Sequence, residues 1–72
     1  MLIYDVLDTQ VTVLFSSLGD LYYAVSTHHN KYALEEVVTY LQAEGWLLDE
    51  LVYCSGGYWG LSMVMDQNEV IL

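Results

Sequence analysis

Apolar residues in the first part of the chain recur mainly at every second position, which is the period of a β-strand. The segments that this pattern predicts as strands are residues 2–7, 11–16 and 21–28. Between them, residues 8–10 and 17–20 have the small polar and glycine composition of turns. The first part of the chain is therefore predicted to be three consecutive strands.

After residue 28 the period changes to that of an amphipathic helix. An i, i+3, i+4, i+7 stripe is formed by Leu34, Val37, Val38 and Leu41. Asn30 is a favourable N-cap, and Gly45 suits the position after the helix, where a left-handed backbone is common. Trp46 would then contact Leu41 as the apolar part of a Schellman motif. We predict a helix over residues 31–44.

The strand period returns in the last part of the chain. Residues 46–54 and 58–65 are predicted strands, joined by a hairpin turn at Ser55-Gly56-Gly57, and residues 70–72 add a short edge segment. The predicted order is β-β-β-α-β-β within a single domain, 1–72. This order predicts an α+β fold in which one helix packs on one face of an antiparallel sheet of four to five strands.

The alternation also predicts which residues face the helix. The expected core-facing set is Val11, Val13, Phe15, Leu21, Tyr23, Val25, Trp46, Leu48, Val52, Trp59, Leu61 and Met63. The expected opposite face is Thr12, Leu14, Ser16, Tyr22, Ala24, Ser26, Leu47, Leu51, Tyr53, Tyr58, Ser62 and Val64. This second face is only half polar and rich in tyrosine, which favours a contact surface over an ordinary solvated face.

The helix has a second candidate surface opposite its apolar stripe. At 100° per residue, Tyr32, Glu36 and Tyr40 fall on this outward side. Two interpretations stay open. The three residues form a recognition strip, or Tyr32 folds back over the helix start while Tyr40 shields the helix edge.

The charge balance restricts the partners. The chain has ten acidic residues, one lysine (Lys31) and no arginine, for a formal net charge of -9. The charge arises because cations are depleted, while the acid content is ordinary. Direct binding to nucleic acid or to an anionic membrane is not expected, because both require several cations. A basic protein surface would be attracted.

The size of the chain favours a partner. A 72-residue domain buries only a modest core, and small domains often depend on a disulfide, a metal or another chain. The single cysteine, Cys54, cannot form an internal disulfide, and no Cys/His cluster has zinc spacing. Oligomerisation, as a homodimer, is therefore expected. The N-terminus lacks the features of a signal peptide and no apolar run spans a membrane, so a cytoplasmic location is expected.

Catalysis and cofactors are not expected. His28 and His29 are adjacent on a predicted strand, so their side chains should point to opposite faces and not chelate one ion. Residues 56–60 are glycine-rich but contain no lysine and open no helix, unlike a phosphate loop. Cys54 is expected to be buried and inert. A metal- or thiol-dependent enzyme using these two histidines and the cysteine is a third hypothesis.

The helix end carries a short resemblance. Leu41-Gln42-Ala43-Glu44-Gly45-Trp46 resembles the L-x-A-E-G-W junction between helix and strand in small bacterial and phage domains. With its shortness, negative charge and lack of a catalytic motif, the chain is similar to small acidic phage-encoded inhibitors, such as anti-CRISPR proteins and anti-restriction DNA mimics. The resemblance implies a host protein as target and the host cytoplasm as location. It assigns no functional residue.

Two functions follow as hypotheses. The first is a small acidic inhibitor or adaptor that docks on a basic surface of a host protein, such as a nucleic-acid-binding surface. The second is a self-assembling homodimeric structural or ligand-binding domain that uses the tyrosine-rich sheet face. The predicted partner-binding residues are Tyr32, Glu36, Tyr40, Glu35, Glu44, Tyr22, Tyr53, Tyr58, Asp49 and Glu50.

Overall fold

A computed structural model describes residues 2–16 and 20–66 of the chain. Its elements are β1 (Leu2–Val6), β2 (Thr9–Phe15), β3 (Leu21–His28), α1 (Lys31–Ala43), β4 (Leu47–Tyr53), a 3₁₀ turn (Ser55–Gly57) and β5 (Trp59–Asp66). The five strands form one antiparallel sheet in the order β1-β2-β3-β5-β4, and α1 packs on one of its faces. The predicted α+β fold is confirmed. The predicted segment at 70–72, and most of the predicted turn at 17–20, lie outside the described residues.

Both predicted helix caps are present. The Asn30 side chain accepts a hydrogen bond from the backbone N–H of Tyr32 at 3.0 Å, which satisfies one of the free donors of the first turn. At the other end Gly45 has φ of 101°, and its N–H donates to the carbonyl of Gln42. The N–H of Trp46 donates to the carbonyl of Leu41, which completes a Schellman motif.

The first hairpin differs from the prediction. The turn expected at residues 8–10 is a two-residue loop formed by Leu7 and Asp8, with φ of 51° and 65°. A loop with two left-handed residues matches the right-handed twist of the flanking strands, which is why it is favoured in tight hairpins. Leu7 adopts this conformation although it is neither glycine nor asparagine, so the sequence gives little sign of it.

The core lies between α1 and the middle of the sheet. Its buried apolar side chains are the four residues of the predicted helix stripe together with Val6, Val11, Ala24, Leu61 and Met63. Trp46 and Trp59 are partly buried against the edge of this cluster. We call the sheet surface that carries α1 the helix face and the other surface the open face.

The predicted orientation of β3 is wrong. Ala24 pairs with Met63 and is buried under α1, so Leu21, Tyr23 and Val25 point to the open face. Tyr22, Ala24 and Ser26 therefore lie on the helix face. Small side chains on the central strand let the helix approach the sheet closely, and this outweighs the greater hydrophobicity of Tyr23 and Val25.

The second half of β4 is also reversed, because the strand contains a β-bulge. Its pairing with β5 passes from Leu48–Met63 to Glu50–Ser62, which leaves Asp49 as the extra residue. Beyond the bulge, Leu51 and Tyr53 lie on the helix face, and Val52 lies on the open face. Phe15 lies on the helix face as predicted, but it is exposed because α1 contacts mainly β3, β4 and β5.

Candidate protein-binding surface

An apolar row crosses the open face. The register aligns Leu14 with Tyr23, Tyr23 with Val64, and Val64 with Leu47. The row thus spans four neighbouring strands, a width of about 14 Å at the usual strand spacing. Leu14 and Leu47, at its two ends, are exposed, and the two central residues are half-buried. We call Leu14, Tyr23, Val64 and Leu47 the apolar row.

A groove of about 420 Å³, with Val25, Val52 and Leu61 in its lining, borders the apolar row. Its polar walls are contributed by Gln10, Thr12, Thr27, Ser62, Glu50 and Cys54. The groove forms where the β2–β3 ladder ends at the Thr12–Val25 pair. Beyond that pair the strands are joined by the Ser26 hydroxyl, which donates to the carbonyl of Gln10 at 2.6 Å. Apart from Glu50, these lining side chains are uncharged.

The carboxylates of the open face lie at its margin. Asp5 belongs to the edge strand β1, Glu50 belongs to the opposite edge strand β4, and Asp66 ends β5. No charged residue occupies the open face of β2 or β3, or of β5 before Asp66. Protein interfaces have the same arrangement, with charge depleted at the centre and concentrated at the rim.

The outward side of α1 is free of the sheet, as predicted. Tyr32 is 75% exposed and does not fold back over the helix start, and Tyr40 is 47% exposed. Glu35 and Glu36 are exposed between them. We call Tyr32, Glu36 and Tyr40 the helix strip. It is solvated on the whole, with Tyr40 at the end nearest to β1.

Tyr4 marks the contact between β1 and the end of α1. Its side chain is partly buried against the core. Burial raises the pKa of its phenol, and the nearby charge of Glu44 and the phenol of Tyr40 raise that pKa further. Glu44 therefore adds negative potential at the helix C-terminus, where the helix dipole is already negative.

The basic side chains are gathered at the other end of α1. The Lys31 ammonium lies 5.1 Å from the centre of the Trp59 ring, in a cation–π contact. The rings of His28 and His29 stack at 4.6 Å, so the prediction that they diverge is wrong: β3 ends at His28, and His29 does not follow strand alternation. The single lysine and both histidines therefore lie far from Glu44.

Metal binding has no support among residues 2–16 and 20–66, where no group of three or more His, Cys, Asp or Glu side chains converges. His28 accepts a hydrogen bond at Nδ1 from the backbone N–H of Asn30, which assigns its proton to Nε2 and leaves no free lone pair. Cys54 is exposed, so the expectation of a buried cysteine is wrong.

The predicted binding residues are distributed over several surfaces. Tyr22 and Tyr53 were expected on the open face, but they lie on the helix face. There the ring of Tyr22 packs edge-on against Phe15, and the ring of Tyr53 packs edge-on against Trp59. Tyr58 follows the 3₁₀ turn and contacts His29. The remaining acids are exposed: Glu35, Glu36, Glu44, Asp49 and Glu50.

Sequence reasoning missed two features of the site. The central residue of the apolar row, Tyr23, was assigned to the core because the orientation of β3 was reversed. The contact between Lys31 and Trp59 joins residues far apart in the sequence, and no local pattern indicates it. The other three members of the apolar row were predicted on the open face.

Comparison with known proteins gives no further assignment: no protein-family model, curated protein or solved structure matches the chain. Within the described part of the chain, α1 has 13 residues, and no helix there has the length and apolar character to span a bilayer.

Proposed function

We propose that this protein is a small acidic inhibitor or adaptor that docks its open face onto a basic surface of another protein, in the manner of phage-encoded anti-defence proteins. The observation that carries the proposal is the apolar row, which crosses four strands and is free of charge. Among residues 2–16 and 20–66, the carboxylates of the open face lie at its margin. Exposed apolar patches of this kind commonly mark protein interfaces.

The charge of the chain selects the kind of partner. All nine acidic residues within the described ranges are exposed, and the one lysine of the chain lies at Trp59, away from the open face. A single lysine can neutralise at most one carboxylate, so most of the negative field reaches the solvent. A basic partner surface would face carboxylates of the opposite sign at the margin of the open face and apolar side chains at its centre.

The spacing of the acids favours a basic protein surface in general over strict imitation of DNA. Asp5 and Glu50 lie on opposite edges of a five-stranded sheet, which places their strands about 19 Å apart. Duplex DNA carries one charge per about 1.7 Å of its axis. The open face therefore has the sign of DNA but not its charge density.

A homodimer that joins two open faces is the second candidate. The apolar row favours it, and a small domain without a disulfide gains stability from such burial. Against it, Asp5, Glu50 and Asp66 of each copy would be brought together with those of the other. The apolar row contains one tyrosine, Tyr23, which was predicted in the core, and none of the tyrosines predicted for the seam.

The test is comparative affinity capture from host extract at low and high salt. The baits are the wild-type chain, the open-face variant Leu14→Ser/Leu47→Ser, and the helix-strip variant Tyr32→Ser. All three altered residues are exposed, so each variant should fold. We expect the wild type and Tyr32→Ser to retain the same basic proteins, with less retained at high salt. Equal retention by the open-face variant would overturn the proposal.

A further inference from the structure

The edge strand β1 presents free backbone groups in a fixed pattern. A two-residue hairpin loop makes Val6 and Thr9 the closing hydrogen-bonded pair of the β1–β2 ladder. Bonding then recurs at every second residue, so the N–H and C=O of Tyr4 point to β2. The N–H and C=O groups of Ile3 and Asp5 point away from the sheet.

The opposite edge of the sheet is more strongly protected than β1. Strand β4 carries the bulge at Leu48–Glu50 and two consecutive acids, Asp49 and Glu50, which are devices that prevent edge-to-edge pairing. Strand β1 is paired to β2 without a bulge, contains neither proline nor lysine, and carries a single acid, Asp5. Its side chains Leu2 and Ile3 are 62% and 50% exposed, one on each face of the sheet.

We propose that β1 pairs antiparallel with β1 of a second copy about a two-fold axis at Tyr4. In this register Ile3 of each copy lies opposite Asp5 of the other. The outward backbone groups of Ile3 and Asp5 in each strand are thus hydrogen-bonded to the other strand. The pairing is isologous, as the interface of a two-fold dimer requires.

The side chains at this seam are compatible with self-association. Each Asp5 carboxylate faces an isoleucine, and the two Asp5 residues are diagonal neighbours about 7–8 Å apart. Their repulsion is screened at moderate salt. On the helix face the two Tyr4 residues are directly opposed, in the close, non-hydrogen-bonded type of pair that suits aromatic side chains.

Such a dimer is one continuous sheet of ten strands, twice the five of each chain. A two-fold axis perpendicular to the sheet leaves both copies of α1 on one side and both open faces on the other. The seam differs from the face-to-face homodimer, because the apolar rows stay accessible. It is independent of the proposed partner binding, and it would present two docking faces side by side.

Proline at position 3 tests the seam. The N–H of Ile3 points outward, so Ile3→Pro removes a donor from the free edge and leaves the β1–β2 ladder intact. Ile3→Val keeps this donor and is the matched control. Molar mass is measured by sedimentation and by light scattering over a range of protein and salt concentrations, and folding is checked by circular dichroism.

We expect the wild type and Ile3→Val to dimerise, more tightly as salt rises, and Ile3→Pro to be monomeric and folded. Leu14→Ser/Leu47→Ser should remain dimeric, which separates this seam from the open face. Hydrogen exchange at the Ile3 and Asp5 amides should slow with protein concentration in the wild type, a readout that does not need the proline variant to fold. A monomeric wild type, a dimeric Ile3→Pro, or protection of these amides that is independent of concentration would overturn the proposal.

Discussion

Gly60 lies directly beneath the thiol of Cys54: a Cβ atom at position 60 would be 2.9 Å from Sγ. Two neighbouring antiparallel strands bring these residues together, because Val52 pairs with Gly60 and the N–H of Cys54 donates to the carbonyl of Tyr58. A side chain at position 60 would therefore displace the thiol of Cys54. Both residues line the groove, so the close contact also shapes the open face.

Replacing Gly60 with alanine should be costly only while the thiol is present. The added methyl forces Cys54 out of its rotamer, which costs about 1 kcal/mol. We expect Gly60→Ala to lower the free energy of unfolding by about 1 kcal/mol more in the wild type than in a Cys54→Ala background. Urea unfolding of the four proteins in this double-mutant cycle measures the difference, and equal effects in both backgrounds would contradict the contact.

Leu7 should be a site where a substitution stabilises the protein. It has φ of 51° and is more than half exposed, so its side chain gains little from burial while its backbone is strained. An L-residue in the left-handed region costs about 1–2 kcal/mol, and asparagine tolerates that region better. We expect Leu7→Asn to raise the urea midpoint by an amount that corresponds to about 1 kcal/mol. Leu2→Asn, at an exposed leucine within β1, is the control and should give no such gain.

The parts of the fold that depend on local chemistry could be predicted from the sequence, and those that depend on pairing could not. Asn30 and Gly45 define the helix because a cap is a relation between neighbours in the chain. The orientation of β3 depends on how closely α1 approaches Ala24, and the bulge at Asp49 depends on the register with β5. Hydrophobicity favours Tyr23 over Ala24 as a core residue, so periodicity alone assigns the side chains of β3 to the wrong faces. The centre of the apolar row, Tyr23, is misplaced for the same reason.

The charges at the two ends of α1 oppose its dipole. Glu44 is therefore a second position where a substitution should stabilise the protein. Lys31 begins the helix and Glu44 caps its negative end, whereas the reverse arrangement is favourable. We expect Glu44→Gln to stabilise the protein by about 0.3–1 kcal/mol at low salt and by less at high salt. Thermal unfolding at two salt concentrations measures this. Glu36→Gln, in the middle of the helix, is the matched control, and an equal gain there would indicate a general charge effect.

The hydroxyl of Ser26 should be necessary for the junction of β2 and β3. Ser26 is buried, and its bond to the Gln10 carbonyl joins the strands where their ladder ends. Ser26→Ala leaves that carbonyl without this donor, and we expect a loss of about 1–2 kcal/mol in the free energy of unfolding. Ser62→Ala, which removes a hydroxyl from the open face, should cost less. Ser26→Ala should also speed hydrogen exchange in the adjoining part of β2. An equal loss of unfolding free energy in Ser26→Ala and Ser62→Ala would contradict this role.

Tyr4 should make the protein less stable in alkali. Because its folded pKa is raised above the ordinary value of 10.0 by burial, by Glu44 and by Tyr40, the folded state holds the phenolic proton more tightly than the unfolded chain. The stability from this difference is fully present below pH 10 and is lost as the pH rises through the folded pKa. We expect Tyr4→Phe to remove this part of the alkaline decline, measured as the midpoint of urea unfolding against pH. Tyr32→Phe, at an exposed position of the helix strip, is the control.

In a Glu44→Gln background the phenol of Tyr4 should ionise at lower pH than in the wild type, while burial and Tyr40 still hold its pKa above the ordinary value. A decline of the same size in Tyr4→Phe and wild type would show that Tyr4 does not contribute to it.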